Sequence, residues 1–145
     1  MNELFVSYSR KDTDFARHLT ERLKAEGLES WVDWQDIPPS VDWMNEIKRG
    51  IEEANVFLFL VSPDSIASNV CAEELAHGVL NGKRIIPIIA REINAEIAPK
   101  SITHLNWIFF SRPQDDFDSA FDKLITAIRT DCRKTCRGRI RSRFR

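Results

Sequence analysis

The segment Val56–Val61 constrains the fold more than any other part of the sequence. Its six residues, VFLFLV, are all apolar, so a strand formed by them has two apolar faces. A strand of this kind lies in the centre of a sheet and is covered on both sides. The rest of the chain is therefore expected to supply helices for both faces of a sheet.

Strand-like and helix-like segments alternate along the whole chain. Strands are predicted at residues 4–9, 30–33, 56–61, 84–90 and 106–110, with amphipathic helices between most of them and after the last one. This alternation is typical of parallel strands joined by helices, so we predict a single α/β domain with a doubly wound, five-stranded parallel sheet. Ligands of such sheets bind at the carboxyl ends of the strands, where the strand order reverses.

The predicted helices are defined by their apolar stripes and by the residues that end them. One helix follows the first strand and ends at Gly27, and a single longer helix is predicted from Ser62-Pro63 to Gly82. The stripe of the longer helix consists of Cys71, Leu75, Ala76, Val79 and Leu80. At 100° per residue, Glu74 lies roughly 150° from the centre of that stripe, and Glu73 lies closer. The helical wheel alone therefore predicts that Glu74 faces solvent.

Composition and cysteine content exclude several classes of protein. With 145 residues, 43% of them apolar, the chain has enough material for one core and is not a disordered polymer. Its longest apolar run is six residues, against about 20 for a membrane span, and no signal peptide opens it, so we expect a cytoplasmic protein without membrane contact. The three cysteines are odd in number and lack metal-type spacing, which argues against disulfides and against a metal site.

Charge is distributed unevenly along the chain. Residues 132–145 carry seven of the 21 basic residues and no acidic residue, so all 22 acidic residues precede them. We therefore predict a domain at residues 1–131 and a basic C-terminal tail or linker at residues 132–145. A basic tail can bind nucleic acid, but a run of arginines without aromatic platforms or apolar periodicity is more often solvated. Nucleic acid is accordingly the least favoured partner.

Several ligand-binding motifs of doubly wound folds are absent from the sequence. The loop at residues 7–12 contains no glycine, unlike the phosphate loop of a flavodoxin-like protein. The third strand ends in Leu60-Val61-Ser62, without the aspartate that a phosphoacceptor receiver needs there. No GxGxxG, GxxxxGK(S/T) or GxSxG motif occurs, so a dinucleotide fold, a P-loop NTPase and a serine hydrolase are unsupported.

Four ordered segments carry a resemblance to a known family. They are FVSYSRKD at residues 5–12, WVD with DIPP and Trp43 at residues 31–43, SP leading to SNVCAEE at residues 62–74, and GKRIIP at residues 82–87. Together these segments resemble a Toll/interleukin-1 receptor (TIR) domain of the bacterial type. The resemblance covers nearly all of the predicted domain and implies a flavodoxin-like sheet.

The resemblance also implies an activity. Many bacterial TIR domains are NAD glycohydrolases, which release nicotinamide and form ADP-ribose or a cyclised isomer, often in antiphage defence. Their essential residue is a glutamate in the helix after the third strand, and Glu74 matches it, three residues after Cys71. NAD is then the substrate and no cofactor is implied. The candidate substrate-binding residues are Ser9, Arg10, Lys11, Asp36, Trp43 and Cys71.

Simpler interpretations of these residues stay open on sequence alone. Trp43 begins an amphipathic helix, where an aromatic residue is as often part of the core as a stacking platform. Cys71 fits a small core residue. Arg10 and Lys11 could be solvated charges.

The resemblance finally implies self-association. Family enzymes work as assemblies in which a loop of one domain completes the site of the next, and such head-to-tail contacts propagate into filaments. In this chain the assembly loop consists of Asp36, Ile37, Pro38, Pro39 and Ser40. Two positions depart from the family pattern, since Val70 replaces a tryptophan and Ser40 replaces a glycine. The alternative to the enzyme is a non-enzymatic scaffold that acts by homotypic association, and in either case a sensor domain or partner protein is expected to supply the signal.

Overall fold

The computed structural model describes residues 4–32, 43–110 and 116–142, without the side chains of Trp43 and of residues 130–142. Within these ranges strands and helices alternate. The strands are β1 (Leu4–Ser7), β2 (Ser30–Val32), β3 (Val56–Val61), β4 (Arg84–Ile89) and β5 (Ile108–Phe109). The helices are α1 (Thr13–Ala25), α2 (Trp43–Glu53), α3 (Pro63–Ala67), α4 (Asn69–Leu80), α5 (Lys100–Thr103) and α6 (Phe117–Ser142), with 3₁₀ turns at Arg10–Asp12 and Ala95–Ile97.

The strands form one sheet in the order β2-β1-β3-β4-β5, and every neighbouring pair is parallel. The predicted α/β fold with a doubly wound, five-stranded parallel sheet is thereby confirmed. β3 pairs with β1 on one side and with β4 on the other, as its two apolar faces predict. The strand order reverses between β1 and β3. The carboxyl ends of these two strands therefore flank the switch point, where a ligand site is expected.

Side chains alternate across the strands and build a separate core on each face of the sheet. Leu58 and Leu60 join residues of α1 and α6 on one face. Phe57 and Phe59 join residues of α2, α4 and α5 on the other face. Phe5 stacks on Phe57 in this second core, with 5.3 Å between the ring centroids. Helices cover both faces, and every residue of β1 and β3 is buried.

The single helix predicted between Ser62 and Gly82 is wrong, because two helices form there. Ser62 caps α3 through a capping box with Ser65, in which each side-chain oxygen accepts from the backbone N–H of the other residue. Ser68 then adopts extended backbone, and its Oγ accepts from the N–H of Cys71 at 3.2 Å. Ser68 therefore ends one helix and starts the next, which places the first turns of α4 at the carboxyl edge of the sheet.

The buried face of α4 also differs from the predicted stripe. The buried residues of this helix are Cys71, Glu74, Leu75 and Gly78. Leu80, which the stripe placed in the core, is 81% exposed. A Cβ atom on Gly78 would lie 2.9 Å from a ring carbon of Phe57, so the helix approaches the sheet along the side where it has no side chain. Glycine has no side chain and does not contribute to an apolar stripe. The helical wheel therefore places the buried face on the wrong side of α4.

The ends of the other elements agree with the sequence in part. Gly27 and Gly82 have positive φ angles of 82° and 67° just after α1 and α4, as expected of glycines that end helices. α6 continues to Ser142 and crosses the predicted boundary at residue 132, so the division into domain and tail stays a prediction.

Among the described residues, no helix has both the length and the apolar composition that spanning a membrane requires.

Candidate active site

A cleft of about 280 Å³ opens beside the carboxyl end of β1. One group of lining residues comes from β1 and the loop after it, and the other comes from the start of α4. The lining residues are Val6, Tyr8, Ser9, Arg10, Lys11, Ser68, Val70, Cys71 and Glu74. Five of the candidate site residues thus lie around one cleft, although two separate segments of the chain supply them.

The loop after β1 is a short, internally bonded turn. Ser9 Oγ accepts from the N–H of Lys11 at 3.2 Å, and the N–H of Asp12 donates to the carbonyl oxygen of Ser9 at 2.7 Å. Thr13 Oγ1 donates to the carbonyl oxygen of Arg10 at 2.6 Å. These bonds fix the backbone of the turn, so Arg10 and Lys11 present their cationic side chains from a defined position at the cleft.

Glu74 is buried at the cleft, against the prediction that it faces solvent. The residue is 5% exposed, whereas Glu73 beside it is exposed. Ser7 Oγ donates a hydrogen bond of 2.6 Å to Glu74 Oε1, and Ser7 is the last residue of β1. Burying a carboxylate costs free energy unless donors compensate for lost water, and Ser7 supplies one donor. The buried face of α4 carries Glu74 toward the sheet, and the hydrogen bond from the end of β1 holds its carboxylate beside the cleft.

Cys71 and Val70 complete the wall near Glu74. Burial raises the pKa of the Cys71 thiol, a direction that the neighbouring Glu74 charge reinforces. The thiol is therefore protonated at neutral pH and is a poor nucleophile. Val70, which stands where the family pattern has a tryptophan, is half-buried and lines the cleft. Among the residues that the structure describes, no group of three or more His, Cys, Asp or Glu side chains lies close enough to hold a metal ion.

A second polar cluster lies behind the loop after β1. Asp12 is 5% exposed and occupies the N-cap position of α1, but its side chain makes no capping hydrogen bond. Its carboxylate accepts instead from Ser62 Oγ at 2.5 Å and from Arg91 Nε at 2.7 Å. Arg91 also pairs with Asp64, and this pairing holds the pKa of the Asp64 carboxyl below its usual value. Charged hydrogen bonds thereby connect the segments that follow β1, β3 and β4.

The remaining candidates fall outside the part of the chain that the structure describes. Asp36 and the rest of the assembly loop at residues 36–40 belong to the stretch between β2 and α2 that is not described. Trp43 is the first residue of α2, but its side chain is likewise not described. The roles predicted for these residues stay predictions.

Sequence reasoning missed four polar residues of this region: Ser7, Ser62, Arg91 and Asp12 in its observed role. A signal existed for Ser7, because a serine at the end of an apolar strand is buried and needs a partner. Ser62 was recognised only as the start of a helix. Arg91 carried no signal, since its partners lie 27 and 79 residues away in sequence.

Comparison with known families and structures gives consistent matches. A family model described as the TIR domain matches residues 4–125 of the chain. A probable 2′ cyclic ADP-D-ribose synthase of Brachypodium distachyon, BdTIR, is 34% identical over 88 residues, which are 59% of this chain and 39% of that protein. The 2′ cyclic ADP-D-ribose synthase BtTIR of Bacteroides thetaiotaomicron is 28% identical over 103 residues, which are 70% of this chain and 32% of that protein. The matched regions thus span about a third to two fifths of these relatives.

Solved structures agree with this match. The TIR domain of the Toll-related receptor TRR-2 from Hydra magnipapillata superposes with a TM-score of 0.76 at 24% identity, over 89% of this chain and 99% of that domain. The TIR domains of the activated Roq1 resistosome superpose with a TM-score of 0.74 at 14% identity, over 88% of this chain and 99% of the other. At these identities the likeness establishes the fold. Since the family model covers most of the sequence, the chain belongs to the TIR domain family.

Proposed function

We propose that this TIR domain is an NAD glycohydrolase, which cleaves the bond between nicotinamide and ribose, and that Glu74 is its catalytic carboxylate. The observation that carries the proposal is the position of Glu74, buried beside a cleft and bonded by Ser7, with Arg10 and Lys11 lining the same cleft. Support comes from the two distant relatives named as 2′ cyclic ADP-D-ribose synthases.

The chemistry needs little more than a carboxylate in this place. Nicotinamide in NAD is a cationic pyridinium, so it departs as a neutral molecule with the electron pair of the broken C1′–N bond and needs no general acid. Positive charge develops on the ribose at C1′ as the bond breaks. A fixed carboxylate stabilises that charge, and it does so most effectively where water is largely excluded. Glu74 meets both conditions.

The product depends on which oxygen reaches C1′. Attack by water forms a C1′–O bond, releases a proton and gives ADP-ribose. Attack by a hydroxyl group of the same molecule also releases a proton, but it gives a cyclic isomer. The names of the two curated relatives favour the cyclic product.

The cationic side of the cleft suits the pyrophosphate of NAD. Arg10 and Lys11 carry the charge, and Ser9 can donate its hydroxyl proton while its oxygen accepts from the N–H of Lys11. The described walls enclose about 280 Å³, close to the lower end of the range of roughly 300 to 1,000 Å³ that is usual for small-molecule sites. We therefore propose that the loop at residues 36–40 of a neighbouring copy adds a wall, as in the family assemblies.

Nicotinamide release from NAD tests the proposal. We would measure it over a range of protein concentrations with a molecular crowder, for wild type, Glu74→Ala and the matched control Glu73→Ala, after circular dichroism has confirmed folding. Release should rise more than proportionally with concentration, fall at least about 100-fold in Glu74→Ala and stay within about twofold in Glu73→Ala. Full release by Glu74→Ala, with loss in Glu73→Ala, would place the catalytic carboxylate one residue earlier.

The alternative, a scaffold without activity, is favoured by a different observation. Val79 and Leu80 are 46% and 81% exposed and line an apolar groove beside Pro99, which suits contact with other proteins. Folded wild type that assembles by light scattering or electron microscopy but releases no nicotinamide at any concentration would select the scaffold.

A further inference from the structure

We propose that Arg91 is a positioning residue for NAD binding, because it holds the turn that presents Arg10 and Lys11 to the cleft. The inference rests on the proposed function for the identity of the ligand. Arg91 follows β4, and its own side chain is not among the residues that line the cleft. Its effect is therefore indirect and passes through Asp12 and Asp64.

Arg91 binds the carboxylate of Asp12, the last residue of the turn. Arg91 Nε donates to Asp12 Oδ1 at 2.7 Å, and Ser62 Oγ donates to the other oxygen, Oδ2, at 2.5 Å. The Asp12 side chain is only 4% exposed, so few water molecules can replace these donors. Asp12 makes no side-chain bond to the start of α1, so its carboxylate is not engaged in capping that helix. These contacts assign the Asp12 carboxylate to anchoring the turn.

The anchored turn carries the two cations of the cleft. Arg10 and Lys11 immediately precede Asp12 within the 3₁₀ turn Arg10–Asp12. The N–H of Asp12 donates to the carbonyl oxygen of Ser9 at 2.7 Å, so a shift of Asp12 would be transmitted to the start of the turn. The position of the cations relative to Glu74 therefore depends on the bond between Asp12 and Arg91.

Charge balance gives Arg91 a second effect on the same turn. Lys11 Nζ lies 3.7 Å from Asp64 Oδ1, and Asp64 is also paired with Arg91. Arg91 thus pairs with two carboxylates, one at the end of the cationic turn and one beside the turn. Without Arg91, both carboxylates would lose a cationic partner, and Asp64 would attract Lys11 more strongly and draw it away from a bound phosphate. Removing Arg91 should weaken phosphate binding even though the cleft residues remain in place.

The effect of losing Arg91 on KM and kcat distinguishes a role in positioning the phosphate contacts from a role in the chemical step. Phosphate contacts are made equally in the ground state and in the transition state, because the phosphates do not react. Losing such uniform binding raises KM and leaves kcat nearly unchanged. Glu74 is bonded by Ser7 rather than by Arg91, so the chemical step should not depend directly on Arg91.

The experiment compares Arg91→Ala and Arg91→Lys with the matched control Arg22→Ala. Arg22 also pairs with an aspartate, Asp118 at 2.9 Å, but lies on α1 away from the cleft. Arg91→Ala should raise the KM for NAD at least about tenfold with kcat within about twofold, Arg91→Lys should recover part of the loss, and Arg22→Ala should leave KM unchanged. An unchanged KM in Arg91→Ala, or an equal rise in Arg22→Ala, would overturn the proposal.

Hydrogen exchange distinguishes failure of this inference from failure of the proposed function. Arg91→Ala should speed amide exchange at residues 9–12 while leaving β3 and α6 protected, and Arg22→Ala should not affect residues 9–12. This result needs no turnover, so it would support the positioning of the turn even if wild type released no nicotinamide. Unchanged exchange at residues 9–12 in Arg91→Ala would overturn the positioning role whatever the protein does to NAD.

Discussion

The interior of the sheet and its carboxyl edge are built from opposite kinds of residue. The interior holds apolar side chains on both faces of β3, such as Leu58 and Phe57. The buried polar residues of the described chain are Ser7, Asp12, Ser62, Ser65 and Glu74. Ser7 and Ser62 lie at or just after the ends of β1 and β3, and the other three lie in the turn and the two helices that follow these strands.

This difference indicates what each region contributes. Apolar burial stabilises the fold in proportion to the area removed from water, so the interior accounts for most of the folding free energy. A buried carboxylate contributes little net stability even when it is well bonded, because desolvation offsets its hydrogen bonds. Two such carboxylates, Asp12 and Glu74, lie at this edge, and our proposals give Glu74 a role in catalysis and Asp12 a role in anchoring the turn.

The largest expected effect comes from the interior. Leu58 is fully buried in the centre of β3, and Leu58→Ala removes three carbon atoms from a packed core. We expect the free energy of unfolding to fall by about 2–5 kcal/mol, measured by denaturant titration. Leu80→Ala, at a position that is 81% exposed, is the matched control and should change it by less than about 0.5 kcal/mol. Equal losses in both variants would show that burial does not distinguish the two regions.

An intermediate effect is expected at the edge of the sheet. Ser7→Ala removes one donor to Glu74, so the buried carboxylate loses a hydrogen bond that orients it. Nicotinamide release should fall at least about tenfold, while the free energy of unfolding falls by only about 1–3 kcal/mol. Ser119→Ala removes a hydroxyl-to-carboxylate bond on the exposed start of α6 and is the matched control. Unchanged nicotinamide release in Ser7→Ala would show that Ser7 has no role in the proposed reaction.

The smallest effect on stability is expected at Asp64, which lies in the first turn of α3 and pairs with Arg91. The hydrogen bond from Arg91 lowers the pKa of Asp64 below its ordinary 3.8, so the pair stabilises the fold above that pH and loses this contribution as the pH falls through the lowered value. Asp64→Asn should therefore lower Tm slightly at neutral pH and leave Tm unchanged well below pH 4, so that the fall of Tm in acid is shallower than in wild type. Asp118→Asn, at the exposed pair with Arg22, is the control. An acid limb identical to that of wild type would contradict the assignment.

The same contrast explains how much could be predicted from the sequence. Interior strands are set by local apolar patterns, so β3 and the five-stranded parallel sheet were predicted correctly. Glu74 was assigned by family resemblance, whereas the helical wheel placed it in solvent. The wheel was wrong because Gly78 decides which side of α4 meets Phe57, and a missing side chain leaves no hydrophobic signal.

The polar cluster at the edge was not predictable for a different reason. Asp12, Ser62 and Arg91 come from three strand ends that are distant in sequence, and each residue alone has an ordinary explanation as a cap or a surface charge. Only the strand order β2-β1-β3-β4-β5 brings them together. Local patterns carry no information on such contacts.

The measurement that tests the central claim most directly is made on Glu74→Gln, with nicotinamide release and the free energy of unfolding determined on the same samples. Glutamine keeps an oxygen that accepts from Ser7 but removes the negative charge. If this edge serves chemistry rather than stability, release falls at least about 100-fold while the free energy of unfolding stays within about 1 kcal/mol of wild type or rises. Release at the wild-type level, or a loss of release that merely follows a loss of folded protein, would contradict the account.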